Sequence, residues 1–500
     1  MTVSYQKIKT LGDLKKSGWE SVSVKEEMRR NLITKMQNGE TLFPGILGYD
    51  KTVIPQLQHA ILAKHDTLLL GLRGQAKSRI LRMLINFLDE YMPIVAGSEI
   101  NDDPFHPISK YARELLEKKG DDTPIEWVHR SNRYAEKLAT PDTTVADLIG
   151  DIDPIKAATR KITLADEEVI NFGIIPRTNR GIFAINELPD LQPRIQVALL
   201  NIMQERDIQI RGFNIRIPLD ISIFFSANPE DYTNRGNIIT PLKDRIDAQI
   251  ITHYPRTIDI GMQITEQEAW ISRESDVKVI IPHFIREIIE EMAFNARESE
   301  YVDQKSGVSA RLTITAMELL VSSAERRALM NNEKKTYIRI ADLYHSLPAL
   351  TGKLELVYEG EQEGAINVAK HMIGKAINKV YVRYFPNPQL RDDEGNNDYS
   401  DIVEWFSRGN KVELPDNITL KEYQKALKSV NGLEDFVKEH STKIEDKEEL
   451  LVLMDFALEA LHQNSVLGKD DLDDQRSFTD MVGSMLGDLG DIDNDFGDFE

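Results

Sequence analysis

The sequence predicts an α/β domain built on a mostly parallel sheet, followed by a largely helical region. Three short apolar segments, at 67–70, 181–185 and 221–226, indicate buried strands that end in glycine or polar residues. The first is followed by a glycine-containing loop and by a helix-like segment starting at Lys77. Beyond about residue 255, apolar residues recur at helical spacing instead. Strands alternating with helices are typical of a parallel sheet.

Composition excludes several classes of protein. The 500 residues carry a formal net charge of -21, which argues against a protein that binds nucleic acid by neutralising phosphates. Cysteine is absent, so there is neither a disulfide framework nor a thiolate metal site. No apolar stretch has signal-peptide or membrane-span character, and we therefore expect a cytoplasmic location and no membrane partner.

The chain divides by pattern into five predicted parts. They are an N-terminal helical segment (1–40), the α/β core (41–255), a helical domain (256–380), a further helical region (381–468) and an acidic tail (469–500). Within the core, 97–140 is polar without sustained periodicity, and we interpret it as an insertion. The tail holds ten Asp and one Glu against one Lys and one Arg, which predicts a solvated, disordered segment.

The segment GLRGQAKS fits the phosphate-loop pattern G-x-x-x-x-G-K-[ST], except that alanine replaces the second glycine. Backbone N–H groups of such a loop cradle phosphate oxygens, while its lysine neutralises phosphate charge and its serine ligates magnesium. The position between a strand and a helix favours this interpretation over a plain glycine turn. The predicted nucleotide-binding residues are Gly71, Arg73, Gly74, Gln75, Ala76, Lys77 and Ser78.

Polar residues also follow the other two predicted strands. GIFAIN ends at Asn186, whose amide oxygen can orient a magnesium-bound water without adding charge, and Glu187 is a carboxylate suited to polarising an attacking water. The alternative is that Glu187 merely caps the next helix. The strand at 221–226 leads to Asn228, an amide placed to sense a terminal phosphate.

Two arginines are further candidates, Arg245 after a turn-rich segment and Arg311 at the start of a predicted helix. An exposed arginine is usually only a solvated charge. A guanidinium also suits bidentate phosphate contact, and phosphoryl transfer gains greatly from an arginine finger. No H-E-x-x-H pair or G-x-S-x-G elbow suggests a different chemistry.

Taken in order, these motifs resemble the MoxR and magnesium-chelatase I-subunit branch of the AAA+ ATPases over roughly 43–358. GLRGQAKS is similar to Walker A, GIFAINE to Walker B with asparagine replacing the usual aspartate, and FFSANP to sensor 1. The segments TPDTTVADLIGDIDP and ERDIQIRGFNIRIP resemble the helix-2 insertion and the hairpin before sensor 1. PLKDRID and GVSARLTITAMELL are similar to the arginine-finger and sensor 2 segments.

The resemblance implies an α/β P-loop NTPase core with a helical lid, with ATP and Mg²⁺ as cofactors. It places the arginine finger on Arg245 and sensor 2 on Arg311, beside the catalytic roles of Glu187 and Asn228. Ser78 and Asn186 would be the residues nearest the metal. It further implies an adenine pocket formed by Ile46, Leu47, Gly48 and Tyr49. A hexameric ring and a separate partner with a von Willebrand factor A domain are also implied.

The expected function is therefore an ATP-hydrolysing ring motor that remodels or activates a partner protein. Two alternatives stay open. A non-hydrolysing nucleotide switch or scaffold is suggested by Asn186, and a sigma-54-type transcription activator shares the core, although its G-A-F-T-G-A loop is absent here. Metal insertion into a tetrapyrrole would need a large porphyrin-binding subunit that this sequence does not contain. Neither client nor pathway follows from the sequence.

Overall fold

A computed structural model describes residues 7–160, 163, 166–209, 216–229, 236–390, 398–441, 446–472 and 475–481. The chain forms two compact units, Met1–Tyr254 and Pro255–Glu500, and each is described by itself. None of the helices in the described part of the chain combines the length and apolar character that a bilayer span requires.

The first unit is organised around a five-stranded, wholly parallel sheet. Three antiparallel strand pairs accompany it. The strands of the unit are β1 (Thr67–Leu70), β2 (Tyr91–Val95), β3 (Ile125–His129), β4 (Tyr134–Leu138), β5 (Gly150–Ile152), β6 (Ile170–Phe172), β7 (Gly181–Asn186), β8 (Asp207–Gln209), β9 (Arg216–Pro218), β10 (Ile221–Ala227) and β11 (Ala248–Ile251). The central sheet has the order β11-β1-β10-β7-β4. The predictions of a parallel sheet and of strands at 67–70, 181–185 and 221–226 are confirmed.

Helices cover both sides of this sheet, because two apolar clusters draw on opposite faces of the same strands. The helices are α1 (Leu11–Lys16), α2 (Val24–Gln37), α3 (Val53–Leu62), α4 (Lys77–Met83), α5 (Lys110–Lys119), α6 (Val145–Leu148), α7 (Pro154–Arg160), α8 (Ile174–Arg177), α9 (Pro193–Glu205) and α10 (Thr240–Arg245). Helix α4 follows β1 directly after the phosphate loop, and a 3₁₀ turn over Leu84–Phe87 extends it.

The interpretation of 97–140 as an insertion is wrong for its last part. Strand β4 pairs in parallel with β7 and forms one edge of the central sheet. Just before it, the fully buried Arg133 makes a bidentate ion pair with Glu27 of α2, at 2.7 and 2.6 Å. The segment YAEKL lacks the apolar run of a buried strand, because an edge strand is only partly covered and does not need one.

The second unit is predominantly helical, as predicted. Its helices are α11 (Ile258–Glu268), α12 (His283–Glu298), α13 (Arg311–Met330), α14 (Ile340–Tyr344), α15 (Leu347–Thr351), α16 (Tyr358–Glu363), α17 (Ala365–Tyr384), α18 (Ser400–Ser407), α19 (Leu420–Lys428), α20 (Leu433–His440) and α21 (Lys447–Gln463). One apolar cluster joins them, including a stacked pair of rings, Phe284 and Phe456, with centroids 4.6 Å apart.

Strands are nevertheless present in this unit, contrary to the expectation that they stop near Pro255. They are β12 (Lys278–Ile280), β13 (Lys335–Tyr337), β14 (Val412–Pro415), β15 (Leu467–Leu472) and β16 (Gln475–Asp480). The first two form a short parallel pair, and the other three an antiparallel sheet ordered β14-β16-β15. Strands of three to six residues carry too little periodicity to stand out from helical surroundings.

The predicted tail beginning at Lys469 is therefore wrong in its first residues, which belong to β15 and β16. Buried charges hold this hairpin: Arg476 donates to Asp455 at 3.1 and 3.0 Å, and Lys469 to Glu459 at 3.0 Å. Burial raises the pKa of Glu459, but the charges of Lys469 and Arg476 outweigh it and bring the pKa to about 2. The remainder, 482–500, lies outside the described residues.

Arg476→Gln is expected to lower the free energy of unfolding of the full chain by about 3–5 kcal/mol, because it leaves the buried Asp455 carboxylate without its counter-ion and leaves Glu459 with Lys469 alone. Urea unfolding measures the change. Lys438→Gln is the matched control, since Lys438 pairs with Glu434 on the exposed face of α20 and its loss should leave the unfolding midpoint unchanged. Wild-type stability of the Arg476 variant would contradict this account of the hairpin.

Candidate functional site

The carboxyl ends of the central strands meet at one edge of the sheet. The backbone N–H of Gly71 donates to the carbonyl of Ala227 at 3.1 Å, so the phosphate loop begins beside the end of β10. On its other side, the N–H of Thr252 donates to the carbonyl of Leu70 at 2.8 Å. Residues 71–78, 186–187 and 228 thus emerge from neighbouring strands, which is where ligands bind in parallel α/β sheets.

The backbone of the phosphate loop explains its small residues. Gly74 has a φ of 75° and Ala76 a φ of 57°, both left-handed. An alanine in this region costs about 1–2 kcal/mol, which accounts for the glycine usual at this place in the motif. At Gly71 a Cβ atom would collide with Thr252 Oγ1 and Gln75 Oε1, so only glycine fits without a shift.

The phosphate loop is fixed by hydrogen bonds within itself and to residues that follow β11. Lys77 is buried, and its ammonium donates to the carbonyls of Gly71 and Leu72. Gln75 Oε1 accepts a hydrogen bond from Thr252 Oγ1 at 2.6 Å. Arg73 offers its carbonyl to the Tyr254 hydroxyl at 3.0 Å. Ser78 is the second residue of α4, half-buried beside the loop.

The segment predicted to contact adenine packs against the same loop. The Tyr49 hydroxyl donates to the carbonyls of Gln75 at 3.1 Å and His253 at 2.8 Å. Burial raises the pKa of this hydroxyl to about 12, so it remains a donor at neutral pH. The side chains of Ile46 and Tyr49 are buried, whereas Leu47 and Gly48 are half-buried. Contact with a base would therefore involve mainly the latter two.

Asn186 lies at the end of β7 and is almost fully buried. Its amide nitrogen donates to Glu136 Oε1 at 2.5 Å, and its amide oxygen accepts from Ser226 Oγ at 2.9 Å. Both ends of the amide are therefore engaged by neighbouring strands. The same Ser226 hydroxyl accepts from the backbone N–H of Glu187 at 3.4 Å.

Glu187 has a left-handed backbone, with φ 55° and ψ 51°. A non-glycine residue in this region carries strain, and such strain often accompanies functional sites. Asn228 follows directly after β10, two residues beyond Ser226. Neighbouring strands thus bring Asn186, Glu187 and Asn228 to the edge of the sheet from which the phosphate loop emerges.

The two arginines lie farther along the chain. Arg245 ends helix α10, and its side chain is 43% exposed and paired with the adjacent Asp244 at 2.7 Å. Arg311 begins helix α13 of the second unit and is exposed. Its role toward a nucleotide stays a prediction.

The residues present fit a magnesium nucleotide. The loop offers backbone N–H groups, the Lys77 ammonium and the Ser78 hydroxyl, and the strand ends add the amide and carboxylate oxygens that Mg²⁺ prefers. The described residues contain no cluster of three or more acidic or histidine side chains that could hold a metal by themselves. A metal here would accordingly depend on phosphate oxygens for part of its coordination.

The sequence does not single out four residues that contact the site: Arg82, Glu136, Ser226 and Thr252. Arg82, on α4, makes a bidentate pair with Glu136 through Nε at 2.7 Å and Nη2 at 3.0 Å. Glu136 belongs to β4, which lies in the segment predicted to be an insertion. Only the pairing of β4 with β7 brings it beside Asn186.

Residues 126–246 match the family model described as "AAA domain (dynein-related subfamily)". The chain is 27% identical over 212 residues to the magnesium-chelatase 38 kDa subunit of Cereibacter sphaeroides, covering 41% of this chain and 56% of that protein. It is 22% identical over 210 residues to the transcriptional regulatory protein ZraR of Salmonella typhimurium, covering 40% and 42%. The matched regions span about half the length of these curated relatives.

Among solved structures, the chain is similar to one modelling the complex between magnesium-chelatase subunits BchI and BchD. The identity is 18%, the TM-score 0.33, and the match covers 64% of this chain and 98% of that one.

Proposed function

We propose that this chain, which carries an AAA domain of the dynein-related subfamily, binds and hydrolyses ATP and uses the free energy to remodel or activate a partner protein. The observation that supports this most directly is the convergence of the phosphate loop, Asn186, Glu187 and Asn228 at one edge of the parallel sheet. A separate protein with a von Willebrand factor A domain is the proposed partner.

In this proposal the loop N–H groups and Lys77 hold the phosphates, and Ser78 supplies a hydroxyl ligand for Mg²⁺. The metal, when bound, neutralises charge on the phosphate oxygens. Glu187 takes up the proton of the attacking water, while Asn228 contacts the terminal phosphate. Arg311 of the second unit is the proposed sensor of the bound nucleotide.

We further propose that the chain works as a ring, most simply a hexamer, with Arg245 of one subunit directed at the ATP of the next. The exposure of Arg245 supports this role, because its ion pair with the adjacent Asp244 is local and solvated and contributes little to the stability of the fold. A non-hydrolysing switch is the second candidate function. The absence of charge at Asn186 favours it.

Release of phosphate from ATP by the purified full chain separates the motor from the switch. We expect turnover in the wild type and none in Lys77→Ala, because the loss of the ammonium leaves phosphate charge uncompensated and abolishes nucleotide binding. Arg194→Ala, a change at an exposed residue of α9, is the control. Binding of ATP without phosphate release in the wild type would favour the switch.

A further inference from the structure

A carboxylate from the edge strand lies one hydrogen bond from Asn186. Because a carboxylate only accepts hydrogen bonds, Glu136 must face the amide nitrogen of Asn186, and the amide oxygen is left to Ser226, at 2.9 Å. The orientation of Asn186 is thus set by its two neighbours. This short chain of side-chain hydrogen bonds joins strands β4, β7 and β10.

Glu136 is placed to hold a negative charge. Its carboxylate accepts two hydrogen bonds from the Arg82 guanidinium, at 2.7 and 3.0 Å, and one from the Asn186 amide, and such partners favour the ionised form of a carboxyl group. The two members of the ion pair differ in solvation. The Arg82 side chain is 65% exposed, so water screens its charge, whereas that of Glu136 is 19% exposed. Water therefore screens the negative charge of Glu136 less than the positive charge of Arg82.

We propose that Glu136 supplies, from the neighbouring strand, the negative charge that Asn186 does not bring to the metal side of the site. This inference rests on the proposed function, since it concerns the magnesium nucleotide. Glu136 acts through Asn186 and is a positioning residue rather than a direct ligand. Its carboxylate fixes the amide and adds a negative charge behind it, in the way that outer-shell partners tune metal affinity.

A purely structural role for Glu136 would give a different result. In that case the pair with Arg82 only fastens α4 to the edge of the sheet. Glu136→Gln keeps the shape of the side chain and a hydrogen-bonding oxygen, so it removes charge with little change in packing. A structural role predicts some loss of stability and no change in the magnesium requirement.

The test measures binding of a fluorescent ADP to the full chain as MgCl2 is varied, which requires no hydrolysis. We expect Glu136→Gln to raise the MgCl2 concentration for half-maximal binding about 10-fold, a size typical of lost outer-shell partners. Thermal unfolding of each variant checks that it is folded.

The decisive variant exchanges the charge between the two positions. Asn186→Asp combined with Glu136→Gln restores one carboxylate and one amide, and we expect it to recover the wild-type magnesium requirement. Asn186→Asp alone places two carboxylates in contact, so one of them should retain a proton. The decrease in the MgCl2 concentration for half-maximal binding that Asn186→Asp causes should therefore be smaller in the wild-type background than in the Glu136→Gln background.

The outcomes distinguish this inference from the proposed function. Equal magnesium requirements in wild type and in folded Glu136→Gln would overturn the role of Glu136 while leaving nucleotide binding intact. The role of Glu136 would also be overturned if the double variant, Asn186→Asp with Glu136→Gln, did not recover the wild-type magnesium requirement. If the wild type binds no ADP at any MgCl2 concentration, the proposed function itself is wrong.

Discussion

Glu187→Gln is expected to bind ATP about as tightly as the wild type and to hydrolyse it roughly 10²–10⁴-fold more slowly, the range for loss of a general base. The change removes the carboxylate that would polarise water but keeps the size of the side chain. The left-handed backbone at this position, with φ 55°, is as accessible to glutamine as to glutamate. Filter binding measures the affinity, and phosphate release measures the rate.

Glu117→Gln is the matched control, because Glu117 is an exposed residue of α5, away from the strand ends that form the site. It should turn over ATP like the wild type. The alternative raised by the sequence, a side-chain cap on the next helix, is not supported, because Glu187 makes no capping hydrogen bond to the turn that follows β7. Wild-type turnover in Glu187→Gln would remove the chemical basis of the motor proposal.

The phosphate loop and the strands that flank it could be predicted because their signals are local. Each predicted central strand is an apolar run buried on both faces, and each ends in a glycine or a polar residue at the same edge. The spacing between Gly71 and Lys77 is set by the geometry of one loop. Such features need no knowledge of which strand neighbours which.

The rest of the site depends on contacts between distant parts of the chain. Glu136 is 50 residues from Asn186 and 54 from Arg82 in sequence, and only the sheet order brings the three together. The composition of residues 469–500 likewise predicts that Lys469 and Arg476 lie in a solvated acidic tail. Their buried partners lie on α21, and no composition rule connects a charged hairpin to carboxylates on a preceding helix.

The position of Arg245 bears on how the site is completed. It lies at the last residue of α10 with 43% of its side chain exposed, and so is available to another molecule. A guanidinium that stabilises the transferring phosphoryl group from a neighbouring subunit makes activity depend on assembly. Activity per chain should then fall as the protein is diluted.

Arg245→Ala is accordingly expected to bind ATP normally and to hydrolyse it about 10³-fold more slowly, because the lost charge is needed only in the transition state. Lys243→Ala, an exposed change on the same helix, is the control for helix α10. Phosphate release and nucleotide binding, measured on the same preparations, separate the two effects.

Mixing Arg245→Ala subunits with Lys77→Ala subunits tests whether the finger acts between chains. Each variant alone lacks one half of every site, whereas a mixed ring contains boundaries that join an intact phosphate loop to an intact arginine. Partial activity should therefore return on mixing, with a maximum at intermediate ratios. If native gels show mixed assemblies that remain as inactive as their components, Arg245 does not complete a neighbour's site, and its exposed guanidinium is an ordinary surface charge.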